Sequence, residues 1–193
     1  FRDGVVFIGL ETVTDAERVL STVANGLGVI ESSGTTLQET VAAALSYKEH
    51  LLLLDNFEQV LAAADLVAAL LQACPQLKIL VTSRAALHLR QERLYPLPPM
   101  SLPGSSQATS ADVTQSQAVQ LFTLRSQAVQ PDFVLNDTTA PTVVTICALL
   151  DGLPLAIELA AARLALFSLP SLLQELTAGD YASLVLLQSE VRD

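Results

Sequence analysis

The sequence predicts an α/β fold in which a largely parallel sheet is followed by a small all-helical domain. Three observations carry this. In the first half, short unbroken apolar runs (VVFIGL, LLLLD and LKILV) alternate with segments of helical period. That alternation implies βαβ units, and continuous apolar strands suit a sheet covered on both faces. After Ser101 helical patterns alone remain, and the apolar 51% of the chain, without Trp, is mostly Leu, Ala and Val, as in closely packed helices.

Val5 to Leu10 forms the first expected strand. Thr14-Asp15 opens a helix, with Glu17 at capping-box spacing from Thr14 and an end near Gly26 or Gly28. A second helix spans Leu37 to Tyr47. Leu51 to Leu54 is the second strand. Phe57 to Ala73 has apolar residues at helical spacing and stops before Pro75. Leu77 to Val81 is the third strand, closing on Thr82-Ser83-Arg84. Arg93 to Leu97 is expected as a short fourth strand, limited to an edge or strand end by Pro96, Pro98 and Pro99.

Residues 1–100 are thus assigned to the sheet domain. Residues 101–117, rich in Ser, Thr, Gln and Gly, read as a linker or exposed loop. Residues 118–193 read as the helical domain. Helices are expected from Ser116 to Val129, from Thr138 to Leu150 and from Pro154 to Phe167. Gly152 ends the second and Pro154 begins the third. A shorter helix runs from Ser168 to Leu176, and the tail from Tyr181 to Asp193 has room for one more.

Composition excludes several functions. The net charge is −10, and of the ten basic residues Arg84, Arg90 and Arg93 alone come close together. Direct nucleic-acid binding needs a basic face, so none is assigned. The most apolar long window, Val143 to Phe167, is interrupted by Asp151, Glu158 and Arg163, so no membrane role is assigned. The two cysteines, Cys74 and Cys147, lack metal-ligand spacing and read as buried apolar residues in a reducing, cytoplasmic setting. No leader pattern occurs, and the start FRDG suggests a piece of something longer.

The run HLLLLDNFEQV ends a buried strand on a carboxylate, Asp55. A parallel sheet gathers its ligands outside the carboxyl ends of its strands, where Asp55 and Thr82-Ser83-Arg84 should converge. An apolar strand ending in Asp is the Walker B pattern, in which the carboxylate serves Mg²⁺ bound to nucleotide phosphates. On this run alone Asp55 reads equally well as a cap for the helix from Phe57. Arg84 reads as a solvated surface residue or, beside such a site, as a sensor of a γ-phosphate, which its planar, permanently charged fork suits.

Three stretches in order, LLLLDNFEQVL, LKILVTSRAALHLRQERLYPLPPM and CALLDGLPLAIELAAARL, resemble the STAND class of P-loop ATPases. The likeness is to bacterial regulators of LuxR and AfsR type, relatives of the NB-ARC domains, and it covers nearly the whole chain. It implies a partial P-loop-NTPase-type sheet and a GLPL-type helical domain. It also implies that Asp55 coordinates Mg²⁺ and that Arg84 reports on the γ-phosphate. Pro154, in the turn with Gly152, would lie near the adenine and couple the helical domain to the nucleotide.

Two departures matter. Many relatives carry a second acid directly after the Walker B Asp, where this chain has Asn56. Glu58 is the candidate substitute for orienting the attacking water, although its place in a first helical turn also suits the helix dipole. Hydrolysis in a longer parent is therefore expected to be slow. The second departure is that no G-x-x-x-x-G-K-[ST] occurs, and the two lysines, Lys48 and Lys78, follow no glycine-rich loop.

The expectation is the middle segment of a switch ATPase that uses Mg-ATP and Mg-ADP in the intact parent. The segment alone is expected to bind neither and to be inactive. Its partners would be other domains of the parent chain and a second copy meeting an unpaired sheet edge. The rival is a non-catalytic interaction scaffold. An unrelated small-molecule enzyme is weaker, because no Ser-His-Asp or Cys-His constellation accompanies His50 or His88.

Overall fold

The computed structural model describes residues 1–31, 34–103 and 110–178. The chain divides into two compact units, Phe1–Tyr95 and Pro96–Asp193.

In the first unit, β1 (Gly4–Gly9), β2 (His50–Asp55) and β3 (Lys78–Val81) form one sheet in the order β1-β2-β3. Both pairings are parallel, with Ile8 opposite Leu54 and Leu54 opposite Val81. Connections of this kind need crossovers, supplied by α1 (Glu17–Gly26) with α2 (Leu37–Leu45), and by a 3-10 segment (Phe57–Ala63) with α3 (Ala64–Ala73). Strand alternation turns Ile8, Leu52 and Leu54 inward onto Val19, Val23, Val41, Leu45, Phe57, Val67 and Leu70. Full burial of each such side chain is worth roughly 1.5–3 kcal/mol.

The α/β class and parallel sheet are as expected, with four local differences. First, the helix signal at Thr14 is answered by Asp15. Its Oδ1 accepts the Glu17 N–H at 2.9 Å, and α1 starts at Glu17. A full capping box forms instead at α2, where Thr36 Oγ1 accepts from the Glu39 N–H and Glu39 Oε2 accepts from the Thr36 N–H.

Second, Phe57 to Ala73 is a 3-10 segment (Phe57–Ala63), itself kinked where Val60 takes φ −127° and ψ 35°, followed by α3 (Ala64–Ala73). Both helix types bring i and i+3 together, so apolar spacing does not separate them. Third, Arg93 to Leu97 forms no strand. Pro96, Pro98 and Pro99 carry no N–H to donate, and β3 has no further partner among the described residues. Fourth, the sheet is covered on one face by described residues, while Val5, Phe7 and Leu80 on the other are more than half exposed.

The second unit holds α4 (Ser110–Gln115), α5 (Gln117–Val129), α6 (Ala140–Leu149), α7 (Pro154–Ala162) and α8 (Leu169–Thr177). Its core gathers Val119, Phe122, Phe133, Val143, Ile146, Ile157, Leu164 and Leu172. Ala118, Ala160 and Ala161 are fully or almost fully buried between larger side chains. Phe122 meets Phe133 edge-on, with ring centroids 6.3 Å apart.

The polar stretch 101–117 is not uniformly loop. It contains α4, and the Ser101 carbonyl accepts from Ser116 Oγ at 2.7 Å and from the Ala118 N–H at 3.2 Å. The helix suggested for Tyr181 to Asp193 lies outside the described residues. Among the described residues no helix is long and apolar enough to cross a membrane.

Candidate functional site

β2 is the central strand, and its run of leucines ends on Asp55 at the carboxyl end of the sheet. The next residue, Asn56, turns the chain with φ 62° and ψ 44°. This left-handed conformation is one that Asn tolerates better than most side chains. Asn56, not Asp55, occupies the cap position of the 3-10 segment, and no side chain caps it. The helix-cap account of Asp55 therefore loses its geometric basis.

The Asp55 carboxylate is held from the neighbouring strand. Thr82, the residue after β3, donates its hydroxyl proton to Asp55 Oδ1 at 2.5 Å. The same hydroxyl accepts the Asn56 N–H at 3.1 Å. Thr82 N–H also donates to the Leu54 carbonyl, and its own carbonyl accepts from the Phe57 N–H, both at 3.0 Å. The convergence expected of the two polar clusters is thus made by Thr82, a residue whose individual role the sequence pattern did not reveal. Its signal was the T-S-R that closes an apolar strand.

Arg84 lies two residues beyond Thr82. Its Nε is 3.4 Å from Glu58 Oε1, and its side chain is 92% exposed. An exposed pair of this kind is worth roughly 0–1 kcal/mol, so the guanidinium is not locked in place. The loop beyond it is braced by Glu92, whose carboxylate accepts the Leu87 N–H at 2.9 Å and the Leu89 N–H at 3.3 Å.

Asp55, Thr82, Glu58 and Arg84 therefore share one end of the sheet, whereas Gly152 and Pro154 belong to the second unit and form a turn of their own. There α6 closes with the Gly152 N–H on the Cys147 carbonyl and the Asp151 N–H on that of Ala148, a Schellman pattern. The left-handed residue that this pattern requires is Asp151, at φ 52°, and Gly152 follows at φ 66°. Gly152 is needed for a second reason: a Cβ there would lie 2.5 Å from the Met100 carbonyl oxygen. The Met100 N–H in turn donates to the Gly152 carbonyl at 2.9 Å. Pro154 stands in the first turn of α7, where its missing N–H costs nothing.

No group of three or more His, Cys, Asp or Glu side chains among the described residues has a geometry able to hold a metal. Asp55 and Thr82 offer hard oxygen donors, which suit Mg²⁺, but not a cage. That donor set fits an ion delivered with phosphates, since Mg²⁺ is commonly held by one or two carboxylates plus phosphates and water. The cysteines take no part. Cys74 and Cys147 are buried and free, and burial pushes the Cys147 thiol up to about 12.

No family model matches the chain. It is 37% identical over 163 residues to the Mycobacterium tuberculosis protein named "Putative HTH-type transcriptional regulator Rv0890c", covering 84% of this chain and 17% of that protein. The Mycobacterium bovis protein with the same description, Mb0914c, matches equally. A Mycobacterium tuberculosis protein named "Uncharacterized protein Rv0894" is 40% identical over 155 residues, covering 80% of this chain and 36% of that protein. The chain thus spans between about a sixth and a third of the curated relatives it matches. Likeness to transcription regulators is therefore shown at moderate identity.

Proposed function

We propose that this chain is the middle segment of a nucleotide-dependent switch in a transcription regulator, with ATP or ADP state controlling how its domains pack. The observation that carries the reading is Asp55. A carboxylate stands at the carboxyl end of the central parallel strand, where open α/β sheets take their ligands, with Arg84 beyond the adjacent strand. The names of the relatives support a regulatory setting.

In this reading Asp55 would hold Mg²⁺ bound with nucleotide, and the ion would supply positive charge against the phosphates. Arg84, held here only by an exposed contact with Glu58, would be free to pair with the stronger charge of a terminal phosphate. Glu58, freed of Arg84, is the acid nearest in sequence for orienting water. Pro154 and Gly152 would carry the nucleotide state into the helical unit. A scaffold reading has one observation of its own, the open apolar sheet face of Val5, Phe7 and Leu80.

Calorimetric titration of the longer protein with Mg-ATP and Mg-ADP separates the two readings. The switch reading expects a one-to-one isotherm weakened at least tenfold by Asp55→Ala, and a smaller preference for ATP over ADP in Arg84→Ala. Native affinity in both variants, or no binding by the native protein, would leave the scaffold reading.

A further inference from the structure

One residue at the end of β3 holds four consecutive residues at the end of β2. The Thr82 backbone N–H donates to Leu54, its hydroxyl donates to Asp55 and accepts from Asn56, and its carbonyl accepts from Phe57. A threonine hydroxyl has one proton and two lone pairs. Here the proton goes to Asp55 Oδ1 and a lone pair to the Asn56 N–H.

We propose that Thr82 is the positioning residue of the Asp55 carboxylate, fixing its orientation toward a divalent cation and linking it to the Arg84 loop. The proposal rests on the nucleotide-switch reading and deepens it. A carboxylate at the end of a strand is otherwise free to turn about its side-chain bonds. A charge-assisted O–H···O⁻ bond to one oxygen removes that freedom and leaves the other oxygen's lone pairs for a ligand. The hydroxyl is held in its own turn by the Asn56 N–H, across a left-handed residue that leaves the turn few alternatives. Arg84 is two residues along the same backbone, so a pull on Arg84 by an anion reaches Asp55 through Thr82. Glu58 touches Arg84, and Thr82 touches Asp55.

The test measures Mn²⁺ affinity in the presence of ADP, by electron paramagnetic resonance, on the full-length protein that carries this segment. Thr82→Val keeps the shape and removes the hydroxyl, whereas Thr82→Ser keeps the hydroxyl and removes a methyl. The expected result is about a tenfold loss for Thr82→Val and less than about twofold for Thr82→Ser. Amide exchange adds a readout within the turn: the Asn56 N–H should exchange faster in Thr82→Val and near the native rate in Thr82→Ser.

Asp55→Asn distinguishes the two levels of the argument. If Asp55→Asn leaves Mn²⁺ affinity unchanged, the switch reading fails and takes the positioning role with it. If Asp55→Asn weakens affinity while Thr82→Val does not, the positioning role alone is overturned. A Thr82→Ser loss equal to that of Thr82→Val, both variants being folded by circular dichroism, also overturns it. Should Thr82→Val fail to fold, Thr82→Ala takes its place: a similar loss is expected, and native Mn²⁺ affinity in that variant would overturn the positioning role.

Discussion

Two turns in this molecule share a backbone device and differ in what surrounds it. After β2, Asn56 takes a left-handed conformation, and after α6 Asp151 and Gly152 both do. In the first turn the contacts come from Thr82, an exposed residue, and they leave a carboxylate accessible at the sheet end. In the second, the Met100 backbone is pressed against Gly152, with no room for a side chain. The first turn is organised around a group that can be changed without emptying a core. The second is built around contact that a side chain would destroy. Similar backbone strain thus marks a candidate site in one unit and a packing constraint in the other.

The largest expected effect breaks the second turn. Gly152→Val places a β-branched residue at positive φ and against the Met100 carbonyl. Strain and overpacking together should cost about 2–5 kcal/mol, read by urea denaturation. The two buried cysteines report on the units separately. Cys147, in the second core, should label faster with a thiol reagent in Gly152→Val, while Cys74, in the first, should keep its native rate.

An intermediate effect supplies a reference for ordinary exposed hydrogen bonds. Thr36→Ala should cost about 1 kcal/mol by removing the capping box of α2. The Thr36 backbone N–H, then its hydroxyl, hold the Glu39 carboxyl below its usual value. A depressed folded value means that this contribution is present above the ordinary glutamate range and is lost as pH falls through the folded value. The backbone N–H survives in Thr36→Ala, so the gap between native and Thr36→Ala melting curves should narrow in acid only by the share of the hydroxyl bond to the carboxylate.

Smaller still is Asp55→Ala, expected to cost about 1 kcal/mol or less, because its partner Thr82 is exposed and can bond to water. A loss larger than that of Gly152→Val would restore a structural role for Asp55. Arg84→Ala should fall within about 0.5 kcal/mol, since its pairing with Glu58 is exposed.

The same contrast explains what could be read from the sequence. The strand ending on Asp55 was legible because an unbroken apolar run needs no partner to be recognised as a buried strand. Its parallel neighbour β3 was legible for the same reason. Gly152 was visible as a helix stop, yet the left-handed residue closing α6 is Asp151, and the approach of Met100 depends on a contact fifty-two residues away in the chain. Thr82 lay within a recognised polar cluster, but its tie to Asp55 appears only once β2 and β3 are adjacent. The strand expected at Arg93 to Leu97 failed because β propensity does not supply a pairing partner. The change of helix type between Phe57 and Ala73 was hidden because both types bring i and i+3 together.

Thermal melting of the longer protein with and without Mg-ADP, native beside Asp55→Ala, tests the central claim most directly. The account expects similar melting temperatures without ligand, a clear rise with Mg-ADP for the native protein, and little or none for Asp55→Ala. An Asp55→Ala protein that melted far below native without ligand, yet kept the full rise with Mg-ADP, would contradict it.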